Sequence, residues 1–251
     1  MCIIKDKEDH YNSLLLGNEI CINDDIIEKF SSCWTVSRAV RVTEKTLALI
    51  DISQKDSNYA TLVLSTEHGP IVTTKSTNTL MKNFRKEVDK QFNIIKEVVE
   101  TIIQKEIYCF PDISPKMLMI PLEGSSCKEA TYINFTMLTD VDKYSDYQSI
   151  LSFHNYLELV IDKPFGTIRE KFLRCFKYHS IYCYMDNQLS REKKGFDYLN
   201  SWEGNYYRSI SGVQSEVKYL IDVESFRKIK DIAFLNYAEF SDEELYAVLD
   251  R

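Results

Sequence analysis

"TLALIDISQKDSNYATLVLST", residues 46–66, holds two runs rich in Leu, Ile, Val and Thr on either side of a polar stretch. The second run alternates. In an extended chain Tyr59, Thr61 and Val63 point to one side, and Ala60, Leu62 and Leu64 to the other. Upstream, "CWTVSRAVRVT" (33–43) places Trp34, Val36, Val40 and Val42 on one face, with Arg38 as the exception, and leads to a short turn at Glu44-Lys45. Downstream, a turn containing His68-Gly69 leads into "GPIVTT" (69–74). Strand-like runs joined by short connections predict an antiparallel meander over residues 33–74.

The periodicity then changes. Met81, Phe84, Val88, Phe92, Ile95, Val99 and Ile102 recur in steps of three and four. That spacing predicts one amphipathic helix over 78–106, about 40 Å long and lying across the meander. "KMLMIPLEG" (116–124) and "EATYINFTML" (129–138) read as a further strand pair separated by Gly124-Ser125-Ser126. Three capping boxes follow: Ser145-Asp146-Tyr147-Gln148, Thr167-Ile168-Arg169-Glu170 and Ser241-Asp242-Glu243-Glu244. In each, a hydroxyl can cap the N3 amide while a Glu or Gln side chain returns to the cap, so each predicts a helix start. Pro164-Phe165-Gly166 is expected to separate the first two of these helices. The fold class is therefore α+β. A β-rich region with its long helix spans 1–140, and a mainly helical region spans 141–251, the two packed as one body.

Composition narrows the function. The chain has 251 residues, 44% hydrophobic and 27% charged, which is enough for a large core. With 7 Gly and 5 Pro it has little material for Gly-rich phosphate loops. A net charge of −7 argues against a dedicated nucleic-acid binder, which carries a basic surplus. An odd count of 7 cysteines without a Cys-x-x-Cys points to a reducing compartment, cytoplasm or nucleus. The charged opening "MCIIKDKEDH" is no signal peptide, and no apolar run approaches the roughly 20 residues needed to span a bilayer. The sequon Asn134-Phe135-Thr136 is accordingly expected to carry no glycan.

Several constellations could carry chemistry. Cys175, His179 and Cys183 in "RCFKYHSIYC" have zinc-ligand types at spacings of four. On a helix they fall on a stripe with Ile168 and Phe172, and successive turns hold them about 6 Å apart. That favours a core face over one shared ion. Cys2 could become an N-terminal nucleophile, but the charged run after it supplies no site. Of the other histidines, His68 sits in a turn. His154 is expected in a helix beside Leu151 and Leu157. Gly-x-Ser-x-Gly and P-loop patterns are absent from the sequence.

Two sites remain. "GVQSEVKYLID" (212–222) contains Glu216 and Lys218, which point the same way if the segment is a strand. Glu216 would then bind a divalent ion, Lys218 would orient the attacking water, and Asp197 would complete the ion's shell. On a helix the two diverge by about 200° and cannot share an ion. "WEGNYYRSISG" (202–212) gathers Trp202, Tyr206, Tyr207 and Arg208, on which RNA or single-stranded DNA bases could stack. These residue types serve a protein partner equally well, and the net charge favours protein over nucleic acid. The sequence thus predicts a non-catalytic protein that binds another protein as a subunit, adaptor or regulator, needing no cofactor. The alternative is a metal-dependent nuclease or hydrolase built on Asp197, Glu216 and Lys218.

Overall fold

A computed structural model describes residues 19–21, 34–56, 58–87, 92–114, 116–124, 130–153 and 157–189. The expectations for Cys2, Asp197, the 202–208 aromatic loop, the 212–222 segment and the 241–244 capping box lie outside the described residues.

The opening stretch builds the centre of a seven-stranded sheet. Thr46–Asp51 is β3 and Thr61–Ser65 is β4, paired antiparallel with Leu49 opposite Val63. Ile71–Thr73 (β5) extends the sheet on one side, antiparallel to β4. Tyr132–Asn134 (β8), Met117–Pro121 (β7) and Asp112–Ser114 (β6) extend it on the other, all antiparallel. The β3–β4–β5 meander and the β7–β8 pair match the sequence pattern. Upstream the pattern is corrected. Only Thr35–Val36 (β2) is a strand, and it pairs parallel with β5 at the sheet's edge rather than antiparallel with β3. Residues 37–45 carry the chain back across one face, where Val40 and Val42 are buried.

That sheet is buried on both faces. Leu49, Val63, Met117, Met119 and Tyr132 join one apolar cluster, while Ala48, Ile50, Leu62, Leu64, Val72, Leu118, Ile120 and Ile133 join another. Each strand alternates between the two clusters with period two. Strands covered on both sides need apolar residues at successive positions, which is why "TLALID" is apolar nearly throughout.

The predicted helix over 78–106 is described as two segments, Thr77–Glu87 (α1) and Phe92–Ile103 (α2). They lie on opposite faces of the sheet. Leu80, Met81 and Phe84 of α1 pack with Leu49 and Val63, whereas Ile95, Val98, Val99 and Ile102 of α2 pack with Ala48, Ile50 and Leu62. The common 3.6-residue spacing made two stripes look like one. Ser76 caps α1 through its Oγ, which accepts from the Thr79 amide at 3.2 Å. Past Ile103, Gln104 takes a left-handed conformation (φ 53°) and the Lys105 amide returns to the Glu100 carbonyl at 3.2 Å. This Schellman turn ends the helix before 106.

At Phe135–Met137 a single 3₁₀ turn redirects the chain into a second sheet. Its cap is Asn134, fully buried, whose Nδ2 donates to the carbonyls of Thr46 (2.8 Å) and Glu44 (3.2 Å). Asn134 Oδ1 accepts from the Thr136 amide and hydroxyl. The sequon asparagine is thus spent internally. The second sheet has strand order β1-β11-β10-β9, with β1 Glu19–Cys21, β9 Leu138–Lys143, β10 Ser149–Phe153 and β11 Glu158–Ile161. Only β1–β11 is parallel.

Here the local signals misled. Ser145–Gln148 is a hairpin turn between β9 and β10, not a helix start. Leu151 lies on β10 and Leu157 just precedes β11, while His154 itself lies outside the described residues. The helical part begins at Phe165, and Phe165–Leu189 is α3. Its start lies two residues ahead of Thr167, so Pro164-Phe165-Gly166 opens the helix instead of separating two. Residue 140 falls inside β9, and one core cluster joins a face of the first sheet, α2, the second sheet and α3. The described residues are thus an α+β arrangement. Among them no helix is long and apolar enough to cross a membrane.

Candidate functional site

The β9–β10 hairpin presents two exposed tyrosines close in sequence, while Tyr108, also exposed, is a single tyrosine after α2. Tyr144 is 46% and Tyr147 79% exposed. The turn that carries them is held by its own polar groups. The amides of Tyr144 and Ser145 both donate to the Gln148 carbonyl at 3.1 Å. The Tyr147 amide donates to Ser145 Oγ at 3.3 Å, a Ser-turn geometry that competes with helix capping. Lys143 Nζ bonds Asp146 Oδ1 at 2.6 Å, and that hydrogen bond and charge hold the Asp146 carboxyl below its ordinary range. Gln148 Nε2 reaches Asp162 Oδ1 on the neighbouring strand connection at 2.7 Å. Two large amphipathic rings therefore stand on a pre-ordered turn, which lowers the entropy cost of a contact. Ser145 and Gln148 carried the sequence signal, but their capping-box spacing also fits this hairpin.

The interior polar groups are committed to the fold. Asp112, fully buried on edge strand β6, accepts two hydrogen bonds from Arg85 of α1, through Nε and, at 2.9 Å, through Nη2. Burial pushes the Asp112 carboxyl up while Arg85 pulls it back. Beside it the Tyr132 hydroxyl donates to Asn78 Oδ1 at 2.9 Å, and its pKa rises to about 12 through burial and the Asp112 charge. On α3 the stripe Ile168, Phe172, Cys175, Phe176 and His179 is buried as a core face. Burial pushes the Cys175 thiol up to about 12, so it stays protonated and is a poor nucleophile. Cys175 and Cys109 are free thiols. The structure therefore puts Cys175 and His179 in the core; Cys183 lies further along α3. No cluster of three or more His, Cys, Asp or Glu suited to a metal occurs among the described residues.

His179 gives a pH prediction. Its Nε2 lies 3.3 Å from the Ser114 carbonyl, which can only accept, so Nε2 carries the proton. Burial lowers its pKa from 6.5 to about 4, only partly offset by that hydrogen bond. A depressed folded-state pKa contributes stability that is present above pH 6.5 and lost as pH falls toward about 4. The loss is on the order of 3 kcal/mol. Urea unfolding of wild type and His179→Gln across that window tests it. The wild type should lose clearly more stability than the variant, and parallel profiles would contradict the assignment.

The expected aromatic site, Trp202, Tyr206, Tyr207 and Arg208, lies outside the described residues, as does the Asp197, Glu216 and Lys218 set. The hairpin tyrosines were not among the sequence candidates. The hint was a Tyr-x-x-Tyr pair set within polar residues, "KYSDYQ", between two alternating runs. No protein-family model, curated protein or solved structure matches the sequence.

Proposed function

We propose that this protein works by binding another protein, as a subunit, adaptor or regulator, and that the Tyr144–Tyr147 hairpin is a contact surface. The supporting observation is the exposure of both rings on a turn fixed by backbone and side-chain hydrogen bonds. Tyrosine is enriched in protein interfaces because one end packs and the other bonds. The abundance of 16 tyrosines in the chain and the aromatic loop with Trp202, Tyr206, Tyr207 and Arg208 fit the same reading. It calls for no cofactor and fits a reducing compartment, cytoplasm or nucleus, given the odd cysteine count.

The test is quantitative affinity capture from the native host with wild type and a Tyr144→Ala/Tyr147→Ala variant. Wild type should retain a stoichiometric partner, and the variant should lose it by tenfold or more while its melting temperature holds, because both positions are exposed. Equal capture would remove the hairpin from the interface. Absence of any partner, together with Mg²⁺-dependent nucleic-acid cleavage abolished by Glu216→Gln, would replace this reading with the hydrolase.

A further inference from the structure

On the α1 face of the seven-stranded sheet lies a groove of about 250 Å³, lined by residues 39–42, Lys75, Leu80, Asn83 and Phe84. Its floor is formed by almost fully buried apolar side chains, Val40, Val42, Leu80 and Phe84, and its accessible lining is more polar than apolar. Its polar lining is Arg41, Lys75 and Asn83, and no carboxylate is among the lining residues. The surrounding charge is lopsided too. Segments 34–45 and 74–87 carry Arg38, Arg41, Lys45, Lys75, Lys82, Arg85 and Lys86 against the acids Glu44 and Glu87, and Arg85 is spent on Asp112. Glu44 is itself paired with Lys116. A basic face on a chain of net charge −7 is a local contrast that selects anionic partners.

We infer that this groove docks an acidic peptide segment of a partner protein, its carboxylates meeting Arg41 and Lys75 while neighbouring apolar side chains rest over the buried floor at Val42 and Leu80. The groove is small for a cofactor site, since small-molecule pockets typically start near 300 Å³. Phe84, the aromatic ring in the lining, is buried, so the groove offers nucleobases no exposed ring on which to stack. The inference is independent of the hairpin: it concerns a different face of the fold, and either surface can fail alone.

The probe is a fluorescein-labelled 12-residue peptide alternating Asp with Leu and Phe, followed by anisotropy. Controls are the same peptide with Asn for Asp, a labelled oligouridine of equal length, and oleate as competitor. Saturable binding of the acidic peptide is expected. It should weaken about tenfold or more in Arg41→Glu/Lys75→Glu, but not in Lys105→Glu/Lys163→Glu, which carries the same net charge change. Methyl resonances of Val40, Val42 and Leu80 should shift on titration, a readout that needs no variant. Any of four results would overturn the inference: no binding up to about 1 mM, equal binding of the Asn peptide, tighter binding of the oligouridine, or displacement by oleate with no methyl shift from the peptide.

Discussion

Replacing Arg85 with alanine is expected to lower stability by about 3–5 kcal/mol, because it strands a buried charge. Asp112 is fully buried and both its oxygens accept from the Arg85 guanidinium. Without that partner, burial alone acts on the carboxyl and raises its folded-state pKa. A raised pKa contributes stability present below the unfolded value, near 3.9, and lost as pH rises through the folded value. In the intact protein burial already holds the Asp112 carboxyl above its ordinary range, so the deficit of Arg85→Ala should open above that raised value and grow as pH rises further. Arg85→Met/Asp112→Leu removes both charges and should recover most of the loss, since apolar replacement of a buried pair is often neutral or better. Chemical denaturation of the three proteins at two pH values checks this. A loss below about 1 kcal/mol for Arg85→Ala would mean the pair behaves as a surface ion pair.

The second large effect concerns the junction between the sheets. Phe172 of α3 is fully buried, and its ring meets Phe135 edge-on, with centroids 5.5 Å apart and planes at 78°. Phe176 adds a tilted contact to the same ring at 6.0 Å. Phe135 occupies the 3₁₀ turn where the chain leaves one sheet for the other, so α3 clamps that crossing. Phe172→Ala should cost about 3–5 kcal/mol through lost transfer energy and a residual cavity. Phe172→Leu should cost far less. A double-mutant cycle with Phe135→Leu should show coupling of about 0.5–1.5 kcal/mol. Full additivity would show that the two rings do not share one packing unit.

Patterns set by local chemistry read correctly from the sequence, and those set by tertiary context did not. The alternation in "YATLVLST" located β4 and the faces of its side chains, because period two is a property of the extended backbone. The stripe Ile168–Phe172–Cys175–His179 marked a buried helical face for the same kind of reason. By contrast, Ser145 and Gln148 satisfy the capping-box spacing yet close a hairpin, because the flanking strands pair Lys143 with Ser149. Two amphipathic helices on opposite faces of a sheet share a hydrophobic period, and nothing in that period reports which face each one meets. The hairpin tyrosines could not be found by spacing alone. Their exposure follows from the turn, and the turn from long-range pairing of β9 with β10.

The burial of the seven-stranded sheet on both faces is tested most directly by one distance. Lys82 on α1 and Asn93 on α2 are both exposed and can carry spin labels. With 7 native cysteines, the labels are best introduced as genetically encoded amino acids. One continuous helix would place the two backbone positions about 16 Å apart. Helices on opposite faces, each about 10 Å from the sheet with labels pointing outward, predict a separation beyond about 30 Å. A double electron–electron resonance distribution centred past that value is the expected result. A single peak near the shorter distance would contradict the two-faced sheet on which the fold rests.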